Sequence, residues 1–229
     1  MEFADWAPVY AEILDDFGFD RAADERARDV LAEFAEPFDV SRLDCTGRRV
    51  AIAGGAPSLA DEATVAADAD VVFAASTAVD VLADDGVGVD LMVTDLDKNP
   101  ETARRLTESG TPVAAHAHGD NVPAVREHVP EFDVEHVLGT TQAEPTDSVS
   151  NFGGFTDGDR AAFLADHLGA AELVFPGWDF DDPAVDAQKA KKLAWAERLL
   201  YWLEHRRGDR FDVLDGRRDA LSLPSVSDF

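Results

Sequence analysis

The chain opens on a helical pattern. Trp6, Val9, Tyr10, Ile13, Leu14 and Phe17 recur at helical spacing, and Gly18 is placed to end that helix. A second helix is expected over 21–34, before Pro37. From Arg49 the period changes. Short apolar runs at 50–53, 71–75, 91–93, 113–115, 134–138 and 173–175 alternate with helical stretches near 59–67, 78–83, 100–109, 122–128 and 157–168. Strand–helix alternation of this length predicts an α/β fold: a mostly parallel, Rossmann-like sheet with helices on both faces, plus N-terminal and C-terminal helices. The closing helix is expected over 184–205, where Leu193, Trp195, Ala196, Leu199, Leu200 and Leu203 supply the apolar positions. The pattern divides the chain into a helical lead-in (1–47), an α/β domain (48–207) and a C-terminal surface tail (208–229) rich in Gly, Arg and Asp. Internal repeats and low-complexity linkers are absent from the sequence.

Composition narrows the class. Of 229 residues, 45% are hydrophobic, enough for an ordinary buried core. Apolar runs stay far shorter than a membrane span requires, and the acidic, amphipathic N-terminus lacks the basic flank of a secretory signal. The single cysteine, Cys45, excludes an internal disulfide and a cysteine-based zinc site. Together these point to the cytoplasm. The formal net charge of −27 changes the picture most. Only four of the twenty Lys and Arg residues are lysines. The acidity is spread along the chain, which favours adaptation to molar salt over a surface for a basic partner. Without a basic stripe, nucleic acid is not an expected partner.

Candidate chemistry falls at the carboxyl ends of the expected strands, where open parallel sheets bind ligands. The first strand runs into Gly54-Gly55-Ala56-Pro57-Ser58. These glycines allow backbone amides to approach a phosphate, and Ser58 is placed to cap the next helix; a tight strand–helix connection would read the same. The third strand runs into Thr94-Asp95-Leu96-Asp97. On an extended segment alternate residues face one way, so both carboxylates can meet one magnesium ion; capping aspartates are the structural alternative. The fourth runs into His116-Ala117-His118-Gly119-Asp120-Asn121, whose polar groups suit metal ligation, base catalysis or phosphate contact, or simply the capping of the following helix. Further along stand Thr140-Thr141-Gln142, the run Asn151-Phe152-Gly153-Gly154-Phe155-Thr156-Asp157, and Trp178-Asp179-Phe180. Phe152 or Phe155 is able to stack on a flat heterocycle or to be core. Three of the four lysines, Lys189, Lys191 and Lys192, stand together near the start of the last helix. They suit a polyphosphate, or a solvated helix face.

The ordered set GGAPSL, VTDLD, AHAHGDN, GTTQ, NFGGFTDGDRA and PGWDF, spread over about residues 48–180, resembles the archaeal 6-hydroxymethylpterin diphosphokinase family. That family is related in fold to the catalytic domain of thiamine pyrophosphokinase. The resemblance implies magnesium-dependent transfer of diphosphate from ATP to the hydroxymethyl group of a reduced pterin, with release of AMP, in the making of folate or methanopterin-type coenzymes. It implies small-molecule partners, ATP and the pterin; a homodimer is an allowed state. Asp95, Asp97 and Asp120 would serve the metal, and Asp95, Asp97, His116 and His118 the catalysis. Gly54, Gly55 and Ser58 would meet phosphate or ribose, and Asn151, Phe152, Asp157 and Asp179 the pterin. Lys189 and Lys192 join the candidates for ATP on composition alone. One departure stands out: Lys98 occupies a position where the family often has glycine. A metal-dependent glycosyltransferase-like enzyme and a non-catalytic nucleotide sensor are the rival readings.

Overall fold

The computed structural model describes residues 1–224. It is an α/β fold with seven strands and eight α-helices, helices standing at both ends of the chain. The chain folds as two compact units. The first contains Met1–Asp44 and Asp90–Gly153, and the second Cys45–Val89 and Gly154–Pro224.

In the first unit, β3 (Leu91–Thr94), β4 (Val113–Ala117), β5 (Val137–Thr141) and β6 (Val149–Ser150) pair in that order, all parallel. Every residue of β3, β4 and β5 is buried, which is why these strands read as continuous apolar runs. The expected strand at 134–138 lies a few residues late: Val134–His136 is a 3-10 turn, capped by the Asp133 carboxylate, and β5 starts at Val137. The two-residue β6 has too short a pattern to be read from sequence. Helix α1 (Phe3–Phe17) buries the apolar face expected of it and ends at Gly18 in the left-handed conformation (φ 68°). Helix α2 (Arg21–Ala32) is capped by the Asp20 side chain and packs on β4, β5 and α6 (Val122–His128). The N-terminal helices therefore belong to the same unit as β3–β6. Helix α5 (Pro100–Glu108) completes this unit, with proline in its first turn, where no amide hydrogen bond is lost.

In the second unit, β2 (Val71–Ala75), β1 (Arg49–Ala53) and β7 (Glu172–Val174) are parallel neighbours. Helices α3 (Leu59–Ala67) and α4 (Ala78–Asp84) follow β1 and β2. Helix α7 (Asp157–His167) lies on β1 and β2 and against α8 (Ala187–Arg207). Residues 208–224, expected as a surface excursion, are mostly exposed or half-buried but are anchored to α8. Phe211 and Leu214 are buried, and arginines tie the segment to α8. Arg218 makes a two-pronged ion pair with the buried Glu204, and Arg217 bridges Glu197 and Asp181. Apolar residues spaced through an otherwise charged stretch anchor it, a signal that composition hides. Residues 225–229 lie outside the described residues.

Candidate functional site

In the first unit the polar residues gather where β3 and β4 end. Strand register sets Thr94 opposite Ala115, so Asp95 comes level with His116. The chain then turns sharply. Leu96 is 2% exposed and takes the left-handed conformation (φ 67°), and its amide donates to Thr94 Oγ1 at 3.0 Å. Asp95 and Asp97 thus stand on a turn anchored by a buried leucine, not on an extended segment. The expectation that alternation would aim both carboxylates at one point is corrected accordingly. Asp95 is half-buried and Asp97 exposed. Lys98 in a glycine-like position costs nothing here: the left-handed residues of this turn are Leu96 and Asn99.

The companion turn, His118-Gly119-Asp120, follows β4. His118 is half-buried, with Nε2 3.6 Å from Asp95 Oδ2. The two histidine rings lie 6.2 Å apart, as expected of alternate residues on one face. His116 is buried and its Nδ1 lies 3.1 Å from Thr140 Oγ1. The Thr140 hydroxyl donates to Ala115 O, so its oxygen accepts the proton of His116 Nδ1, which leaves Nε2 as the basic nitrogen of the neutral ring. Asp120 is exposed.

Asn121 joins these two turns. Its Nδ2 donates to Asp95 O and to His116 O, both at 2.7 Å, and its Oδ1 accepts from the His118 amide at 2.9 Å. As the first residue before α6 it was a candidate helix cap, but its side chain makes no cap hydrogen bond. It is a cross-brace instead. Asp24 on α2 is a residue that the sequence pattern did not single out. Its carboxylate accepts from the Gly119 amide at 2.7 Å. Asp24's partner here lies 95 residues away in sequence.

The loop after β6 also turns on its own backbone. Asn151 Nδ2 donates to Ala143 O, and Oδ1 accepts from the Gly153 amide. Its amide is committed to the loop, with one hydrogen and one lone pair left for a ligand. Phe152 is half-buried beside it.

In the second unit the β1–α3 turn meets the end of β7. Gly54 donates to Pro176 O and Ala56 to Gly177 O, both at 2.9 Å. A Cβ on Gly54 would stand 2.4 Å from Gly177 O, and one on Gly177 would stand 2.5 Å from Gly54 O. Glycine at Gly54 thus serves close backbone packing, and its amide is used by the protein rather than offered to a phosphate. Gly55 is exposed. Ser58 does not cap α3: it already has helical φ and ψ, and no cap bond forms. Its Oγ is sheltered from solvent and without a hydrogen-bond partner. A buried polar atom in that state calls for a ligand or water.

Trp178 donates from Nε1 to Ile52 O at 2.8 Å, and its ring covers Gly158 so closely that a Cβ there would stand 2.6 Å from it. Asp179, next in sequence, is exposed, and its Oδ1 accepts from the Asp181 amide. Gly154 (φ 92°) meets the backbone of Arg160 at 2.6 Å from its would-be Cβ, so its close approach is to α7. Asp159 is fully buried and caps the start of α7, accepting from the amides of Phe155 and Thr156 and from the Thr156 hydroxyl. Burial raises its pKa despite those donors. Asp157 pairs with Arg160 at 3.0 Å. Phe155 is core rather than an open stacking platform. The half-buried Lys192 reaches 5.9 Å from the centre of its ring, while Lys189 is exposed at the start of α8.

Among the described residues no group of three or more His, Cys, Asp or Glu side chains is gathered as a metal cage. Asp120 is therefore not assembled with Asp95 and Asp97 into a triad. A magnesium ion that arrives on phosphates keeps several waters and takes one or two carboxylates. The half-buried Asp95 oxygens beside exposed Asp97 fit that kind of site.

The fold is α/β, with polar residues gathered at the carboxyl ends of parallel strands. The comparisons with known proteins sharpen this. The model of the MptE-like 6-hydroxymethylpterin diphosphokinases matches residues 25–184, and the chain belongs to that family of diphosphotransferases. A protein of Methanothermobacter thermautotrophicus is 38% identical, with 91% of this chain and 97% of that one covered. One of Pyrococcus furiosus is 37% identical (90% and 95% covered), and one of Methanocaldococcus jannaschii 30% (89% and 96%). Each of the three is named a 6-hydroxymethyl-7,8-dihydropterin pyrophosphokinase. Among the described residues no helix is long and apolar enough to cross a membrane.

Proposed function

We propose that this chain transfers the β,γ-diphosphoryl group of ATP to the hydroxymethyl oxygen of 6-hydroxymethyl-7,8-dihydropterin. The substrate oxygen bonds to the β-phosphorus, the bond from that phosphorus to the oxygen bridging to the α-phosphate breaks, and AMP leaves with the bridging oxygen. The hydroxyl proton passes to a base. His118 suits that role better than His116, because it is half-buried beside a carboxylate whereas His116 is enclosed and engaged by Thr140. Such transfer depends on positioning and charge neutralisation more than on covalent catalysis. Magnesium held by Asp95 and Asp97 would supply the charge neutralisation on the phosphates. Ser58 Oγ, sheltered and unpartnered, and exposed Gly55 would receive phosphate or ribose. Asn151 and Phe152 are the first unit's candidates for the pterin, and Asp157 and Asp179 the second unit's, a carboxylate accepting paired hydrogen bonds from its amidine-like edge. The product is an activated ester suited to a later condensation towards folate or methanopterin-type coenzymes, in a salt-rich cytoplasm.

Among the structural observations, the one that carries this reading is the Asn121 brace, which sets the Asp95 carboxylate 3.6 Å from His118 at the ends of β3 and β4. The test is AMP release from ATP, in molar potassium chloride, with and without the pterin. AMP formed only with pterin and magnesium is expected. ATP bound without AMP release would indicate a sensor, and turnover of a sugar nucleotide with pterin untouched would overturn the proposal in favour of glycosyl transfer.

A further inference from the structure

We propose that Asp24, on α2, is a positioning residue for the catalytic turn: its carboxylate holds His118-Gly119-Asp120 in place from the side opposite Asn121. The inference rests on the functional reading above. Asp24 is 3% exposed, an expensive place for a carboxylate, and an apolar residue would satisfy packing alone. Three donors from distant parts of the chain converge on it. Oδ1 accepts from the Gly119 amide at 2.7 Å, and Oδ2 accepts from the Tyr10 hydroxyl at 2.7 Å and Gln142 Nε2 at 2.8 Å. Both carboxylate oxygens are thus engaged by donors. Burial, and then the bond to Asp24, raises the Tyr10 pKa, so the phenol remains a donor. Gln142 is fixed in turn, its carbonyl accepting from Trp6 Nε1 at 2.9 Å.

The seat is tight as well as polar. A Cβ on Gly119 would stand 2.7 Å from Ala23 Cβ, so the turn rests on α2 at a distance only glycine allows. The residue before it is His118, whose ring faces Asp95. Asn121 grips the His118 amide and Asp24 grips the Gly119 amide. Without Asp24 the turn is held on one side only, and the imidazole is free to drift from the reacting hydroxyl.

The test compares the wild-type chain with Asp24→Ala and Asp24→Asn by two readouts. The first is amide hydrogen exchange at Gly119 by NMR, without substrates. The second is kcat and KM for ATP and pterin. In Asp24→Ala, Gly119 exchange is expected to accelerate by an order of magnitude or more, as a locally opened amide does. Misplacement of the turn is expected to lower kcat about 10–100-fold with KM for ATP little changed. Asp24→Asn is expected to restore most of both. Asn Oδ1 still accepts from Gly119, and Gln142 can turn its amide so that Oε1, now without a partner, accepts from Asn Nδ2. A plain loss of fold stability would not be rescued in kcat with KM unchanged throughout.

Unchanged Gly119 exchange in Asp24→Ala would overturn the proposal, as would lost protection with wild-type kcat. Should wild type release no AMP, the functional reading falls by itself, and the exchange comparison still decides whether Asp24 holds the turn. Should Asp24→Ala fail to fold, Gly119→Ala lifts the same turn off Ala23 with the carboxylate retained. The same loss of kcat is then expected, and wild-type kcat would refute the seat on α2.

Discussion

Replacing Asn121 by alanine removes three sheltered or partly sheltered hydrogen bonds at once: two donated at 2.7 Å to Asp95 O and His116 O, and one accepted at 2.9 Å from the His118 amide. Each such bond is worth about 1 kcal/mol net, and a backbone group left buried without a partner costs more, so a loss of roughly 2–4 kcal/mol is expected. For a chain of this size that lowers Tm by about 5–15 °C. Activity should suffer beyond stability, because the brace connects the turn bearing Asp95 to the turn bearing His118. A shift of about 1 Å between reacting groups is enough for about 100-fold in kcat. Asn121→Asp separates bond loss from geometry. It keeps the acceptor for His118 but turns an anion towards two carbonyl oxygens, and it should be at least as damaging as alanine. The assay is thermal unfolding in molar potassium chloride beside steady-state AMP release at a temperature where every variant is folded. If Asn121→Ala unfolds within about 0.5 kcal/mol of wild type, as a neutral surface change would, and turns over normally, the brace is not the device that aligns the two strand ends.

Asp95→Asn and Asp97→Asn should each abolish AMP release with little change in Tm, since losing a carboxylate from an acidic turn relieves repulsion while removing a hard oxygen ligand; near-normal activity of either at ordinary magnesium would remove it from the metal site. Single Gln variants of Lys189, Lys191 and Lys192 should show a large fall in turnover at one position only, with Lys192 favoured by its place against Phe155, whereas three wild-type kinetic profiles would make the cluster a solvated helix face. With −27 net charge, Tm should fall as potassium chloride drops from molar to about 0.1 M and the screening length grows from about 3 Å to about 10 Å; a flat Tm would argue against salt adaptation. Burial works against ionised Glu204, but the Arg218 guanidinium and the Phe211 amide outweigh it and lower its pKa. A depressed carboxylate pKa stabilises the fold above the group's ordinary range and loses that contribution as pH falls through the folded value, so Glu204→Gln should flatten the acid limb of the stability profile, and an unchanged limb would place the acid sensitivity elsewhere.

The fold was legible wherever burial followed a simple period. Strands β1 to β4 and β7 are near-continuous apolar runs, and α3 and α6 occupy the predicted ranges 59–67 and 122–128. The pattern failed where burial is local or where polar chemistry decides the shape. Two residues of β6 carry no period. Val134 lies in a 3-10 turn because Asp133 bonds back to Glu135, which outweighs the β preference of one valine. In 208–224 two buried apolar residues are submerged in charge. The extended reading of Thr94-Asp95-Leu96-Asp97 failed for a related reason, since a buried leucine in the left-handed region reverses the chain.

Charged and glycine-rich segments at strand ends suggested a site region without showing which atoms are already engaged there. Gly54 and Asn151 stood out as ligand candidates because they are residue types that approach phosphates and heterocycles. The structure spends Gly54 on Gly177, Gly154 on Arg160, and the Asn151 amide on its own loop. Asp24 escaped notice, and Asn121 was read only as part of a polar strand end, because a buried brace is defined by its partners, which for Asp24 and Gln142 stand 118 residues apart. No spacing rule records such pairs. Ordered motifs therefore identify the chemistry of this chain, whereas the residues that hold it in register become visible only once each buried donor has been assigned its acceptor. Asp24 and Asn121 between them hold the two consecutive amides that carry His118, which is why variants of these two residues test the catalytic geometry more directly than variants of the glycines do.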